Sequence, residues 1–132
     1  MRKIKFRGKC IQSGQWIFGF YFHVEDDNPN GTHQIVEHTT HHQHNLRKVV
    51  HPVDPKTVGQ YTGLIDEKGV QVFEGDIVEC YGEDNEVILV AEVQFQEGGF
   101  CVQIDYDLQL IPLDTFGSAY KVIGNIHELQ KK

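Results

Sequence analysis

The sequence predicts an all-β protein with little helix. Three observations carry that expectation. Apolar residues recur mostly at every second position, glycine-containing turns break the alternation at short intervals, and hints of helix are confined to a possible turn at 114–118 and the tail at 127–132. The chain has 132 residues, 39% hydrophobic and 23% charged. That composition fits compact globular folding, with enough apolar surface to bury that neither disulfides nor metal are needed.

Each element follows from its local pattern. Residues 3–9 alternate the cations Lys3, Lys5, Arg7 and Lys9 with Ile4, Phe6 and Gly8, which as a strand sets a comb of charge opposite an apolar face. Ser13-Gly14 reads as a hairpin turn, and the aromatic density of residues 16–22 predicts a strand packed on both faces. Residues 26–31 form a turn-rich loop, 35–38 and 48–50 are short strand candidates around a histidine-rich tract, and Pro52 and Pro55 mark an extended connector. Strands at 61–64 and 70–73 flank a turn in which Gly69 supplies the positive φ such hairpins need. Five further strands are predicted at 76–81, 87–95, 100–104, 108–112 and 120–124, with Gly98-Gly99 turning the chain between the second and third. Short strands with tight turns suggest a small closed barrel, the SH3-like barrel being the nearest architecture of that size.

Charge is segregated along the chain. The net charge is −7, yet residues 1–9 carry five cations and no acid, while residues 60–114 hold 13 acidic residues against Lys68 alone, a local charge of −12. Six of the eight histidines fall in residues 31–51, a block that gains positive charge on mild acidification. Cys10, Cys80 and Cys101 are too scattered for a CxxC metal pair and odd in number, so they are expected to be buried small hydrophobes. No apolar run approaches the ~20 residues of a membrane span, so a cytoplasmic protein without membrane contact is expected.

Several phrases together resemble the YopX-like family of phage and prophage proteins. They are Lys5-Phe6-Arg7-Gly8-Lys9 followed by Gly14, Trp16 and Gly19; Pro55 and residues 57–64, then Asp66, Gly69 and residues 73–78; and the closing Val122-Ile123-Gly124-Asn125-Ile126. The resemblance implies an all-β protein with a partly barrelled N-terminal part and an SH3-like C-terminal part. The corresponding division is a β subdomain over residues 1–56 carrying the histidine-rich loop, and a barrel over residues 57–132, folded as one compact unit. It further implies a homo-oligomer in a bacterial host cell, a phage or host protein as partner, and no catalytic residue. Residues 23–52 have no counterpart in the family pattern. The glycines of the motif have structural explanations in backbone angles and close approach, and Asp76 is placed to hydrogen-bond backbone groups at a strand entrance.

Three sets of residues are candidates for function. The first is His38, His41, His42 and His44. In a strand His42 and His44 share a face, and in a helix His38, His41 and His42 do, so two or three imidazoles could meet zinc, nickel or copper. The competing reading is a solvated polar loop, and no cofactor is implied. The second set is Lys3, Lys5, Arg7 and Lys9, spaced about 6.6 Å apart along a strand, a repeat that could follow a phosphate backbone with Trp16 and Tyr21 stacking on bases. The negative total charge opposes nucleic acid, and complementarity with the acidic half is favoured. The third set is Trp16, Phe18, Phe20 and Phe22, more apolar surface than a small half-barrel hides, which suits a subunit interface. Enzymatic motifs are missing. Gly8-Lys9 has Lys3 where a P-loop needs glycine and Cys10 where it needs Ser or Thr, and neither GxSxG, GxGxxG nor HExxH occurs. A non-enzymatic protein is expected.

Overall fold

The computed structural model describes residues 4–23, 33–37, 50–96, 98–104, 109–112 and 119–129. They are mostly β, as predicted. The order is β1 (Phe6–Lys9), β2 (Trp16–His23), β3 (His33–Glu37), β4 (Val50–Pro52), β5 (Gly59–Ile65), β6 (Gln71–Phe73), β7 (Asp76–Tyr81), β8 (Val87–Gln96), β9 (Gly99–Ile104), β10 (Gln109–Pro112), β11 (Tyr120–Asn125) and the short helix α1 (Ile126–Leu129). The predicted turn at 114–118 and loop at 26–31 lie outside the described residues.

The chain divides into two compact units, Met1–Gln60 and Tyr61–Lys132. In the first, antiparallel strands run in the order β4-β3-β2-β1, and the other edge of β1 takes the start of β5, with Phe6 opposite Gln60 and Arg7 opposite Gly59. Alternation decides which side chains point inward. Ile17 on β2, Ile35 on β3, and Cys10 and Val53 beside the sheet form the buried core, with Phe6, Tyr21 and Val58 packed against it. Gly19 shares the inner row with Ile17. A Cβ there would lie 1.9 Å from the Val36 carbonyl oxygen, so only glycine lets β3 pair this closely with β2.

The expected extended connector is modified after Pro52. Pro55–Thr57 form a 3-10 turn with Pro55 at its start, and the Asp54 side chain caps it by accepting the Lys56 amide at 3.0 Å. Thr57 ties that turn to β1, its hydroxyl accepting the Lys9 amide at 2.8 Å and donating to the Asp54 carbonyl at 2.6 Å.

In the second unit β5 pairs with β6, and a five-stranded antiparallel sheet runs β10-β9-β8-β7-β11. Its core is Val72, Val78, Cys80, Val93, Val102 and Tyr120, against which Leu64, Leu89, Ala91, Ile111 and Val122 pack. All three cysteines are free and buried, as expected of small hydrophobes. Gly69 has φ of 82° in the β5–β6 turn, the positive value the sequence demands there. Asp76, 2% exposed, accepts the Phe73 amide at 2.8 Å and so closes the entry to β7. Asp66 acts more widely. Its carboxylate accepts the amides of Lys68 at 2.8 Å, Val70 at 2.9 Å and Val122 at 2.9 Å, holding the β5–β6 turn and joining it to β11. Asn125 caps α1 by accepting the amides of His127 and Glu128. Among the described residues, no helix is long and apolar enough to cross a membrane.

Candidate interaction surface

The outer face of the first sheet is aromatic. Because Trp16, Phe18, Phe20 and Phe22 alternate with Ile17, Gly19 and Tyr21 along β2, all four project away from the core. Phe18 is 40% exposed, Phe20 56% and Phe22 37%, with Trp16 half-buried. The expectation that this strand is packed on both faces is therefore corrected. Aromatic density marks strand propensity on either face of a pleat, and here the inner row supplies the core while the outer row keeps much of its area in water.

Cross-strand register sets cations beside the rings. Arg7 stands opposite Phe18 and Lys9 opposite Trp16, which puts the outer rows of β1 and β2 on one surface. On the other side of β2, Phe20 faces Val36 and Phe22 faces Gln34, extending that surface across β3. The cations are not equivalent. Arg7 is buried, its guanidinium carbon 4.9 Å from the centroid of Trp16, while the Lys9 ammonium lies 5.9 Å from the same ring. Cation–π contact and stem packing make Arg7 part of the fold. Of the four cations singled out in the sequence, Lys5 and Lys9 are half-buried and Lys3 lies outside the described residues.

His38, His41, His42 and His44 also lie outside the described residues. Three of the described histidines fall into two local arrangements. His33 stacks on His23 with ring centroids 4.2 Å apart, and its Nδ1 is 2.7 Å from the Tyr21 hydroxyl. His51 Nε2 lies 3.0 Å from a Glu37 carboxylate oxygen. Among the described residues, no group of three or more His, Cys, Asp or Glu side chains is arranged to hold a metal ion.

The second unit carries a face of different character, which sequence reasoning did not single out. Ile88 and Val90 on β8 are 58% and 50% exposed. Val90 stands opposite Glu79 and Glu92 opposite Ile77, so acids and aliphatics share the outer rows of β7 and β8. On the far side of β7, Lys121 stands opposite Glu79. The Tyr81 hydroxyl donates to Glu79 at 2.9 Å; desolvation, that hydrogen bond and the charges of Glu79, Glu67 and Asp66 push its phenol up to about 12. Desolvation and the nearby charge of Glu74 raise the Glu92 carboxyl above its ordinary value. A depression of about 200 Å³ nearby is lined by Glu67, Tyr81 and Asn85. Residues 87–93 are nearly all apolar, so period-two reading of β8 could not tell the exposed Ile88 and Val90 from the inward Leu89, Ala91 and Val93.

Comparison with known proteins places this architecture. Comparison with curated proteins gives no match. Among solved structures, the fold is similar to that of protein EF1440 from Enterococcus faecalis, with a TM-score of 0.57 and 23% sequence identity over 99% of this chain and 98% of that one. The family model described as YopX protein matches residues 5–131, a span that takes in both units and the phrases on which the resemblance rested. The chain belongs to the YopX family.

Proposed function

We infer that this YopX-family chain is a non-enzymatic phage or prophage accessory protein that works by self-assembly through the aromatic face of the first unit. One observation carries the reading: Phe18, Phe20 and Phe22 are exposed in a single row on β2. Aromatic rings left in water beside polar neighbours are the side chains that contribute most when a protein surface is covered. Burying one half-exposed phenylalanine ring is worth about 2 kcal/mol, more than tenfold in affinity.

Light scattering over a range of concentrations at neutral pH tests this. The expected result is a species larger than the 15.1 kDa chain, shifted toward monomer by Phe20→Glu. A wild-type protein that stays monomeric at every concentration overturns it.

A second reading, single-stranded nucleic acid on the same face, draws support from Lys9 standing beside Trp16, a ring that a base could stack on. The burial of Arg7 and the net charge of −7 weigh against it. Oligonucleotide binding that is absent even at low ionic strength removes that reading.

A further inference from the structure

We propose that His23 and His33 form a two-histidine site for a divalent transition metal of the copper, nickel and zinc kind, clipping β2 to β3 across the end of their ladder. The site is separate from His38, His41, His42 and His44. It is also independent of the assembly reading, because neither residue belongs to the aromatic row.

Strand pairing delivers both side chains. His23 stands opposite His33 as the end pair of the β2–β3 ladder. Alternation puts His23 on the face of Ile17 and Tyr21, and His33 on that of the fully buried Ile35, so the two imidazoles meet where this core row gives way to solvent. Their ring centroids are 4.2 Å apart and their planes lie within 5° of parallel. A metal–imidazole bond is about 2.0–2.1 Å long, so two nitrogens that share one ion stand at most about 4.2 Å apart. Rings this close need only a tilt of His23, which is exposed at its strand end, to aim one nitrogen each at the same ion.

Tyr21 prepares His33 for this role. Its hydroxyl oxygen lies 2.7 Å from His33 Nδ1, and the two rings stack with planes 8° from parallel. Burial holds the Tyr21 phenol above its ordinary value, so the hydroxyl keeps its proton at neutral pH. With the His33 proton on Nδ1, that nitrogen donates to the Tyr21 oxygen and Nε2 presents its lone pair, the way a ligating histidine is oriented through its other nitrogen. Imidazole suits copper, nickel and zinc, whereas calcium and magnesium take oxygen ligands. The described residues supply this pair and no third His, Cys, Asp or Glu, so water completes the coordination, which fits tetragonal copper(II) or nickel(II) better than a four-ligand structural zinc. An ion joining neighbouring strands stabilises the first unit, and because protons compete for the same nitrogens its binding weakens on mild acidification.

Calorimetric titration with nickel(II) tests the site, on a background of His38→Ala, His41→Ala, His42→Ala and His44→Ala that silences the histidine tract. The expected result is one ion per chain in the micromolar range. Tyr21→Phe, which keeps the ring and removes the hydroxyl, should weaken binding about tenfold, His23→Ala and His33→Ala more than that, and His51→Ala not at all. Electron paramagnetic resonance with copper(II) should show two imidazole nitrogens, still two in Tyr21→Phe and one fewer in His23→Ala or His33→Ala, a count that a merely structural role for Tyr21 or the histidines would not give. Affinity no tighter than about 1 mM on this background, or affinity unchanged by His23→Ala, overturns the proposal. Circular dichroism confirms that each variant folds. Should the background or His33→Ala not fold, copper(II) is added to saturation with the wild type and the histidine ring signals are followed by NMR. His23 and His33 signals that broaden together support the site, and signals that stay sharp overturn it.

Discussion

Asp66→Asn should destabilise the second unit, and the hydrogen-bond geometry sets the size of the effect. Asp66 is 3% exposed and accepts three backbone amides, two at one carboxylate oxygen and one at the other. Asparagine offers only one accepting oxygen. In its better orientation it keeps the Lys68 and Val70 amides and turns its NH2 group against the Val122 amide, which loses its bond to this side chain. An unsatisfied buried amide costs about 1–3 kcal/mol, and loss of charge assistance in the other two bonds adds to it, so about 2–4 kcal/mol is expected. That corresponds to a fall in Tm on the order of 10 °C.

The pH dependence carries its own sign. Burial pushes the Asp66 carboxyl up, but the amides of Val122, Val70 and Lys68 and the charge of Lys121 outweigh it and hold the group below its ordinary value of 3.8. A carboxyl depressed in the native state adds stability that is complete above the unfolded value and lost as pH falls through the folded one. The gap between wild type and Asp66→Asn, read from urea denaturation by circular dichroism, should be full at neutral pH and narrow below pH 3.8. A gap under about 0.5 kcal/mol at neutral pH, or one that persists undiminished into strong acid, would refute the reasoning.

Gly19→Ala should cost more than about 3 kcal/mol or prevent folding of the first unit, because the new Cβ meets the Val36 backbone and not a side chain that can swing away. Gly99→Ala is its control; nothing lies within 4 Å of a Cβ there, and its denaturation midpoint should stay close to wild type. Burial raises the Cys80 thiol to about 11, so in mildly alkaline solution it should resist Ellman's reagent until denaturant is added, as followed by mass spectrometry of its peptide. Labelling of Cys80 within minutes in the native protein would contradict that burial.

The strands of the second unit are legible in the sequence because each is short, alternates, and ends at a turn residue. The 76–81 strand coincides with β7, and the strand read at 87–95 ends one residue short of β8. The first unit is harder. Residues 16–22 announce a strand, yet rings at 16, 18, 20 and 22 and apolar or aromatic residues at 17 and 21 give no difference between its faces. The same uniformity hides the face of Ile88 and Val90. Arg7 illustrates the converse, since it reads as one tooth of an exposed comb and instead lies buried against Trp16.

Local chemistry determined where the strands and turns fall, that the three cysteines seek the interior, and how charge divides between the two ends of the chain. Tertiary structure alone decided which face of each ribbon is covered, because burial depends on what packs across the sheet, and alternation fixes only that neighbours along a strand point to opposite sides. The aromatic row on which assembly is argued is therefore a property of the packed protein, written in residues that look alike until their strands are paired.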